Sequence, residues 1–496
     1  MKTKIILAAL IVLQSATWAA ATSEDVEYYA VFIEGAKAGF ATHSRTITNG
    51  QVTTTEAAEM TISRMGIQLN IKTKETCVET VDGEPISFSS EQNMGLGIAK
   101  TTGTIGRDGI VRIQNNDTNS QQTPSGQENS FAWPKGAVMA EGLRLLEIKN
   151  GMREGASYSA KIFSPSLLNA VDSRVLVGGK QDVDLLGRVM KLTKVSTVMS
   201  MPGTGEMTTD SYVDEDLNAL KSTTPMADMK MEMVACTKEV ALASYEPVEI
   251  VNKMFMASPE PIEDVGSAKS ITYYLKPTGQ AGSFIIPSSD NQRVQQQEDG
   301  TLKVTVSPVS APAGARFPYK GPDKAILDAT MPSRFLQSND AKIIEIAKRA
   351  VGDTKDAAEA ARRIESFVAS YVKNISLSVG YASATEVAAS RRGDCTEFSV
   401  LCAAMCRSVG IPARVTMGVA YVDDFEGRDG FGGHAWVEAY IGGKWVGLDS
   451  TFKASQRGGY DAGHIAFAMG DGEPASFFNL ATTLGRFKIE KITVER

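Results

Sequence analysis

Residues 391–422 read RRGDCTEFSVLCAAMCRSVGIPARVTMGVAYV and residues 432–451 read GGHAWVEAYIGGKWVGLDST. These two stretches decide the fold of the last third of the chain. Asp394 stands where a helix N-cap belongs, with Glu397 three residues on in capping-box spacing, so a helix is expected to begin at Cys395 and run to Ser408. Phe398, Leu401, Cys402, Met405 and Val409 form one stripe of it, and Gly410 and Pro412 end it. The period then drops to two, and PARVTMGVAYV, HAWVEAYI and KWVGLD read as strands. Upstream, Ile364, Phe367, Val368, Tyr371, Val372 and Ile375 recur with helical spacing. Helices ahead of a sheet define an α+β domain.

Cys395, as the first residue of a helix, meets the positive end of the macrodipole and unpaired N–H groups, both of which favour a thiolate. Gly442-Gly443 reads as a two-residue hairpin turn, which pairs Ile441 with Lys444 and, counting back, Trp436 with Asp449. His434 shares the face of Trp436, so Asp449 is its diagonal cross-strand neighbour, within reach of a carboxylate–imidazole hydrogen bond. The chain has only three histidines. A thiol, an imidazole and a carboxylate so placed suit acyl transfer: His434 takes the thiol proton, Asp449 fixes its tautomer, and Cys395 attacks a carbonyl to form a thioester. The Cys395 N–H is one oxyanion donor, with Tyr371, Asn374 and Tyr381 as candidates for a second. Trp436, Trp445 and Tyr440 lie on the His434 face and are expected to wall the space between the cysteine helix and the sheet.

The motifs GDCTE, GIPAR, HAWVE and LDST resemble the transglutaminase-like superfamily over roughly Ala341–Met469. The resemblance implies a papain-like core with the Cys395 helix packed on the sheet, Cys395 as nucleophile, His434 as base and Asp449 as third member. Gly410, Pro412 and Arg414 fit the family's helix-to-strand turn, and Ser450 replaces a proline often found there. The family holds cross-linking enzymes, peptidases, amidases and members that have lost the triad, so the resemblance implies a reaction type rather than a substrate.

Other features are given structural readings. His464, in DAGHIAF, matches no zinc spacing with Cys395 and His434 and lacks an evident acidic or thiol companion. The acidic stretch Asp423–Gly430 lacks the ligand order of a calcium loop and reads as a mobile solvated loop beside the cleft. Met229, Met231 and Met233 alternate as one buried strand face would. His43 has no evident partner.

The first 21 residues, MKTKIILAALIVLQSATWAAA, place two lysines ahead of a short apolar run and end in small residues, the order of a secretory signal peptide. Its removal takes away two lysines and no acids, so the net charge goes from −7 to −9. With that balance no nucleic-acid surface is implied, and no later segment is apolar enough to span a bilayer. Five cysteines leave at least one thiol free. Cys77 and Cys236 are candidates to pair, whereas Cys402 and Cys406, four apart on one helix, read as buried thiols.

The expected architecture is multidomain: a signal peptide over 1–21, a β-rich region over 22–250 with one helix near Val138–Lys149, a β segment with a proline-rich linker or wall over 251–322, and the α+β transglutaminase-like domain over 323–496. The expected function is exported cysteine-dependent acyl transfer at an amide or peptide carbonyl, on a protein or peptide substrate, periplasmic or extracellular, with no cofactor or metal. Hydrolysis is favoured over cross-linking. The alternative is a non-catalytic envelope protein that uses the same regions to bind a partner or glycan.

Overall fold

The computed structural model describes residues 26–94, 98–115, 129–201, 205–226, 229–250, 252–278, 285–375, 382–472 and 483–496. The expected signal peptide and Tyr381 lie outside them. The chain divides into two compact units at Ile250/Val251.

The N-terminal unit is built on one sheet. Its strands are β1 (Val26–Ile33), β2 (Ala36–Thr48), β3 (Gln51–Arg64), β4 (Ile67–Thr80), β5 (Pro85–Asn93), β6 (Ile98–Ile105), β7 (Ile110–Asn115) and β8 (Asn129–Ala132). After β9 (Ala137–Val138) and helix α1 (Ala140–Asn150) come β10 (Ser157–Ser164), β11 (Asn169–Leu185), β12 (Arg188–Met201), β13 (Gly205–Val213), β14 (Ala219–Met226) and β15 (Met229–Cys236). A short helix α2 (Lys238–Leu242) and β16 (Val248–Glu249), paired with β3, finish the unit. Strand β1 pairs with both β2 and β15, so two antiparallel meanders share one sheet.

Alternate residues are buried, as in β3 with Val52, Thr54, Ala58, Met60 and Ile62, which is what period two requires of a sheet with one inner face. The two meanders meet in one core, where the rings of Phe88 and Phe163 lie 5.0 Å apart beside Cys77, Val111, Ile113 and Met139. Met139 occupies the N-cap position of α1 and supplies no side-chain acceptor. Glu79 of β4 does so instead, accepting from the N–H groups of Glu141 (2.6 Å) and Gly142 (3.0 Å). These are orphan donors of a helix start.

A polar row crosses the same inner face, with Glu27, His43, Glu56, Glu75 and Ser90 directly opposite one another from β1 to β5. It gives His43 the partner the sequence did not reveal, Glu56 at 3.6 Å. Met229, Met231 and Met233 are buried on one face of β15. Cys77 and Cys236 are both free. Three strands separate them in the sheet, about 19 Å at the usual strand spacing and far beyond disulfide reach.

The C-terminal unit contains β17 (Met256–Ala257), β18 (Ser270–Pro277), β19 (Gln292–Gln296), β20 (Leu302–Val306), α3 (Lys324–Asp328), α4 (Ala341–Val351), α5 (Ala357–Tyr371), β21 (Asn374–Ile375), α6 (Ala384–Ser390) and β22 (Arg392–Gly393). There follow α7 (Cys395–Ser408), β23 (Ala413–Phe425), β24 (Arg428–Ile441), β25 (Lys444–Leu448), α8 (Ser450–Ala454), β26 (His464–Gly470) and β27 (Phe487–Glu495). One sheet runs β17-β24-β23-β26, with β25 also on β24, and a second runs β19-β20-β18-β27.

The segment 251–322, set apart in the sequence reading, is thus built into this unit, since β18 pairs with β27 near the other end of the unit's sequence. The proline-rich passage is a wall rather than a linker. The Val309 N–H donates to Asn291 Oδ1, the Tyr319 N–H to Gly410 O, and the Ala357 N–H to Ala315 O.

Helix α7 has the ends expected of it, but residues Cys395–Arg407 are all buried, so it is a helix enclosed on every side rather than one with a single apolar stripe. It packs on β24 and β23, with α4, α5 and α6 around it. Helix α5 stops at Tyr371, and Ile375 is exposed on β21, paired with β22. Strand pairing overrides the helical period there. The acidic stretch at Asp423 is a hairpin rather than a loop, with β23 and β24 extended until Phe425 pairs with Arg428.

The helices cover the sheet face that bears Val437 and Ile441. Ala358 and Ala361 of α5 line a cavity of about 220 Å³ with Ile441, Val446 and Leu448, and Val400 of α7 and Val415, the partner of Val437, both border the position a Cβ on Gly472 would take. On the opposite face Glu438 accepts from Asn291 Nδ2 (2.8 Å) and Arg414 Nη2 (2.6 Å). Trp436 belongs to that second face. The expected wall between helix and sheet is therefore misplaced, although the ring is buried.

Candidate active site

Asp394 caps α7, its Oδ1 accepting from the Thr396 N–H at 3.2 Å, while Glu397 Oε2 accepts from the Asp394 N–H at 3.0 Å. Glu397 Oε1 also accepts from the Ala382 N–H, which fixes the approach of the preceding chain. Cys395 is thereby held in the first turn, 2% exposed, with its thiol 3.7 Å from Asp394 Oδ1.

The hairpin has the expected register, from Ile441 opposite Lys444 to Val437 opposite Leu448. Gly442 and Gly443 both have positive φ (59° and 88°), as a primed turn demands. The ladder ends at Leu448 because Asp449 starts α8. Its Oδ1 accepts from the N–H groups of Thr451 (2.8 Å) and Phe452 (3.0 Å), which leaves Oδ2 for other partners. His434 Nε2 lies 2.7 Å from that oxygen. Strand β25 covers β24 from Val437 onward and β17 covers it at Gly430 and Phe431, so His434 stands in the stretch between the two. Its ring stacks on Phe452 at 4.7 Å.

Burial lowers the pKa of His434, Asp449 raises it and His464 lowers it again, with the net shift below the ordinary imidazole value. Burial acts to raise the pKa of Asp449, but the two imidazoles outweigh it and hold the carboxyl well below the usual range. With Nε2 donating to Asp449, the lone pair of neutral His434 sits on Nδ1, which has no hydrogen-bond partner among the described residues. The ring is thus anchored on one side and able to accept a proton on the other.

Two further residues join this site that the sequence reading did not place in it. His464, at the start of β26, puts Nε2 3.1 Å from Asp449 Oδ2. The acidic companion that its sequence surroundings do not show is Asp449. The three side chains have ligand-type atoms within 4.8 Å of one another, but both histidines use Nε2 on the same carboxylate oxygen, and those hydrogen bonds account for the arrangement. Glu365 of α5 accepts from the Asp449 N–H (2.8 Å) and from Lys453 (3.0 Å), fixing the aspartate's backbone.

Trp436 is 1% exposed, with its ring 6.2 Å from those of His434 and Tyr460 and 5.1 Å from that of His464. Gly418 makes room for it, since a Cβ there would sit 2.9 Å from the indole and 1.9 Å from Ile465 O. Of the candidate oxyanion donors, the Tyr371 hydroxyl is already donated to Ala388 O at 2.8 Å. Asn374 pairs with Arg392, three residues before Cys395.

A buried imidazole–carboxylate pair on a sheet packed by a helix that begins with cysteine is the frame of thiol-dependent acyl-transfer folds. Residues 344–450 match the family model of the transglutaminase-like superfamily, so the C-terminal third carries a transglutaminase-like domain. No curated protein matches the chain. Among solved structures, the chain is similar to a candidate cysteine protease from Cytophaga hutchinsonii at 20% identity and a TM-score of 0.28, covering 46% of this chain and 86% of that one. It is also similar to a β-barrel-like protein of a domain of unknown function from Brucella abortus, at 15% identity and a TM-score of 0.31, covering 43% of this chain and 96% of that one.

Proposed function

We propose that this chain is an exported cysteine acyl-transfer enzyme in which Cys395 is the nucleophile, His434 the base and Asp449 the residue that orients it. The observation that carries the reading is the His434 ring, anchored through Nε2 to a buried carboxylate with its Nδ1 uncommitted, on the strand whose other face packs against the helix that starts at Cys395. In the first step Nδ1 takes the thiol proton as Sγ adds to an amide carbonyl. The Cys395 N–H, at the helix start, faces the developing oxyanion. Collapse expels the amine, which receives the proton from His434, and leaves a thioester. Water, deprotonated by the same nitrogen, then releases the acid and restores the thiol. Hydrolysis is favoured over cross-linking because water needs no acceptor subsite. Asp449 stays ionised throughout and offsets the imidazolium that forms twice per turnover.

The sequence of the first 21 residues supports export, and N-terminal sequencing of the exported protein should return a start near Thr22; recovery of Met1 would refute it. The catalytic reading is tested by a peptide and amine-donor screen on the wild type, Cys395→Ala and His434→Ala. Turnover should vanish in the first variant and fall steeply in the second. Full turnover by Cys395→Ala on a confirmed substrate would overturn the assignment. A substrate-free check is alkylation of the folded protein, in which Cys395 should react fastest: burial pushes the Cys77 thiol well up, and a hydrogen bond to Cys406 followed by burial does the same to Cys402.

A further inference from the structure

We infer that His464 is a positioning residue for the His434–Asp449 pair, a buried imidazolium clamped between Asp461 and Asp449 whose charge keeps His434 neutral and able to accept a proton. The geometry places an acceptor oxygen at each ring nitrogen. Nδ1 lies 3.0 Å from Asp461 Oδ1 and 3.1 Å from Asp461 O, and Nε2 lies 3.1 Å from Asp449 Oδ2. A neutral imidazole has one N–H and would leave one of those oxygens facing a lone pair. The Asp461 N–H also approaches Nδ1, at 3.4 Å, but the two oxygens are closer and set the donor role. Burial acts to lower the pKa of His464, yet Asp461 and Asp449 outweigh it and hold it at about 9.

The surroundings leave these charges little other compensation. The rings packed on His464 are Tyr460 (4.8 Å), Phe452 (4.9 Å), Trp436 (5.1 Å) and His434 (5.5 Å). Burial raises the Tyr460 hydroxyl far above its ordinary range, so that ring is neutral. The Tyr273 hydroxyl is likewise neutral and donates to Ala462 O. Lys453 is engaged by Glu365, and Arg457, over the Phe452 ring, pairs with Asp423. The cluster Asp461, His464, Asp449 and neutral His434 therefore carries two negative charges and one positive. Without the His464 charge, Asp449 acts on His434 uncompensated, the ring takes up a proton in the resting protein, and Nδ1 can no longer accept one from Cys395. The consequence for turnover rests on the acyl-transfer reading; the charge state of His464 does not.

The presence of only three histidines makes the test direct: two-dimensional ¹H–¹⁵N spectra of the imidazoles in the full chain, titrated from pH 5 to 10 and assigned by single substitutions. In the wild type, His464 should show both nitrogens protonated at pH 7. In His464→Gln the His434 titration should move up by roughly one to two pH units, the effect of removing a unit charge about 5.5 Å away at an intermediate dielectric. Asp461→Asn, which leaves the ring itself in place, should lower the His464 titration. A neutral His464 at pH 7 in the wild type, an unmoved His434 in folded His464→Gln, or an unmoved His464 in folded Asp461→Asn would overturn the inference. Failure of the acyl-transfer reading would appear separately, as turnover that survives Cys395→Ala, and would leave these titrations unchanged.

Discussion

Glu75, Glu79 and Glu147 of the N-terminal unit and Asp449 of the C-terminal unit are enclosed acids treated in opposite ways. In the N-terminal unit, burial pushes Glu75 and Glu79 up to about 7 and Glu147 up to about 8. Two N–H groups of α1 on Glu79 and one from Ser166 on Glu75 offset only part of that. In the C-terminal unit Asp449 is as deeply enclosed, yet it is held well below the usual range because two imidazoles meet it in addition to two backbone donors. Backbone dipoles alone do not keep a carboxylate charged in a dry interior; a cationic neighbour does. Glu75, Glu79 and Glu147 give up their charge readily, whereas the fold surrounds Asp449, like Glu141 with its two arginines, with the groups needed to retain it.

Removing the retained charge should have the largest effect. Asp449→Ala leaves His464 with one acid, uncaps α8 and frees His434. It is expected to cost about 3–5 kcal/mol, as breaking a buried pair does, and to reduce turnover by roughly 100- to 10,000-fold. Urea unfolding and steady-state rates would check it. Asp449→Asn keeps the cap, so it should lose turnover with a smaller loss of stability; equal losses in both variants would mean that the charge contributes nothing beyond the cap.

Next is the cover over the pair. Trp436→Ala should cost about 3–5 kcal/mol in thermal unfolding. Trp436→Phe should cost much less, since the indole N–H has no partner among the described residues. Ready acrylamide quenching of a variant that keeps only Trp436 would contradict its burial.

The pH dependence sharpens the contrast. A carboxyl raised in the folded state contributes stability that is fully present below its unfolded value of 4.5 and lost as pH rises through about 7, whereas Asp449 contributes above 3.8 and is lost only on stronger acidification. His464, raised from 6.5 to about 9, is lost as pH climbs through that window. Glu75→Gln should therefore raise the stability read from urea unfolding at pH 8, by up to about 3 kcal/mol, and leave it unchanged at pH 4. A gain at both pH values would show that the acid is not titrating as described. The smallest effect expected is that of Asp394→Ala, about 1 kcal/mol for a lost helix cap, read in the same unfolding experiment.

What could be read from the sequence is what is local. The capping box of α7, its ends, the glycine turn and the register that brings Asp449 to His434 all depend on residues within about twenty positions of one another. His464 was missed because it reaches the site through β26, which joins the far edge of β23, with Gly418 opposite His434 on one side and Ala420 opposite His464 on the other. No periodicity within either strand announces that pairing. Glu365 was missed for the same reason, as its α5 position looks like any polar residue on an amphipathic helix. The end of α5 was misjudged because Ile375 continues the helical spacing while its backbone pairs with β22.

Strand β18 has a consequence for the order of assembly. Its Ser270 hydroxyl bonds to Glu495 of β27, 225 residues later, and Ile271–Leu275 of β18 lie between β20 and β27. At usual elongation rates that separation is about 11–45 s of synthesis, during which one edge of β18 has no strand to pair with. Tyr273, at the middle of β18, is held in place from both sides and reaches over to Ala462 O, next to Asp461. Strand β27, made after all the other described strands, therefore clamps the strand that braces the loop behind His464, so the site should become rigid only when this late closure is complete.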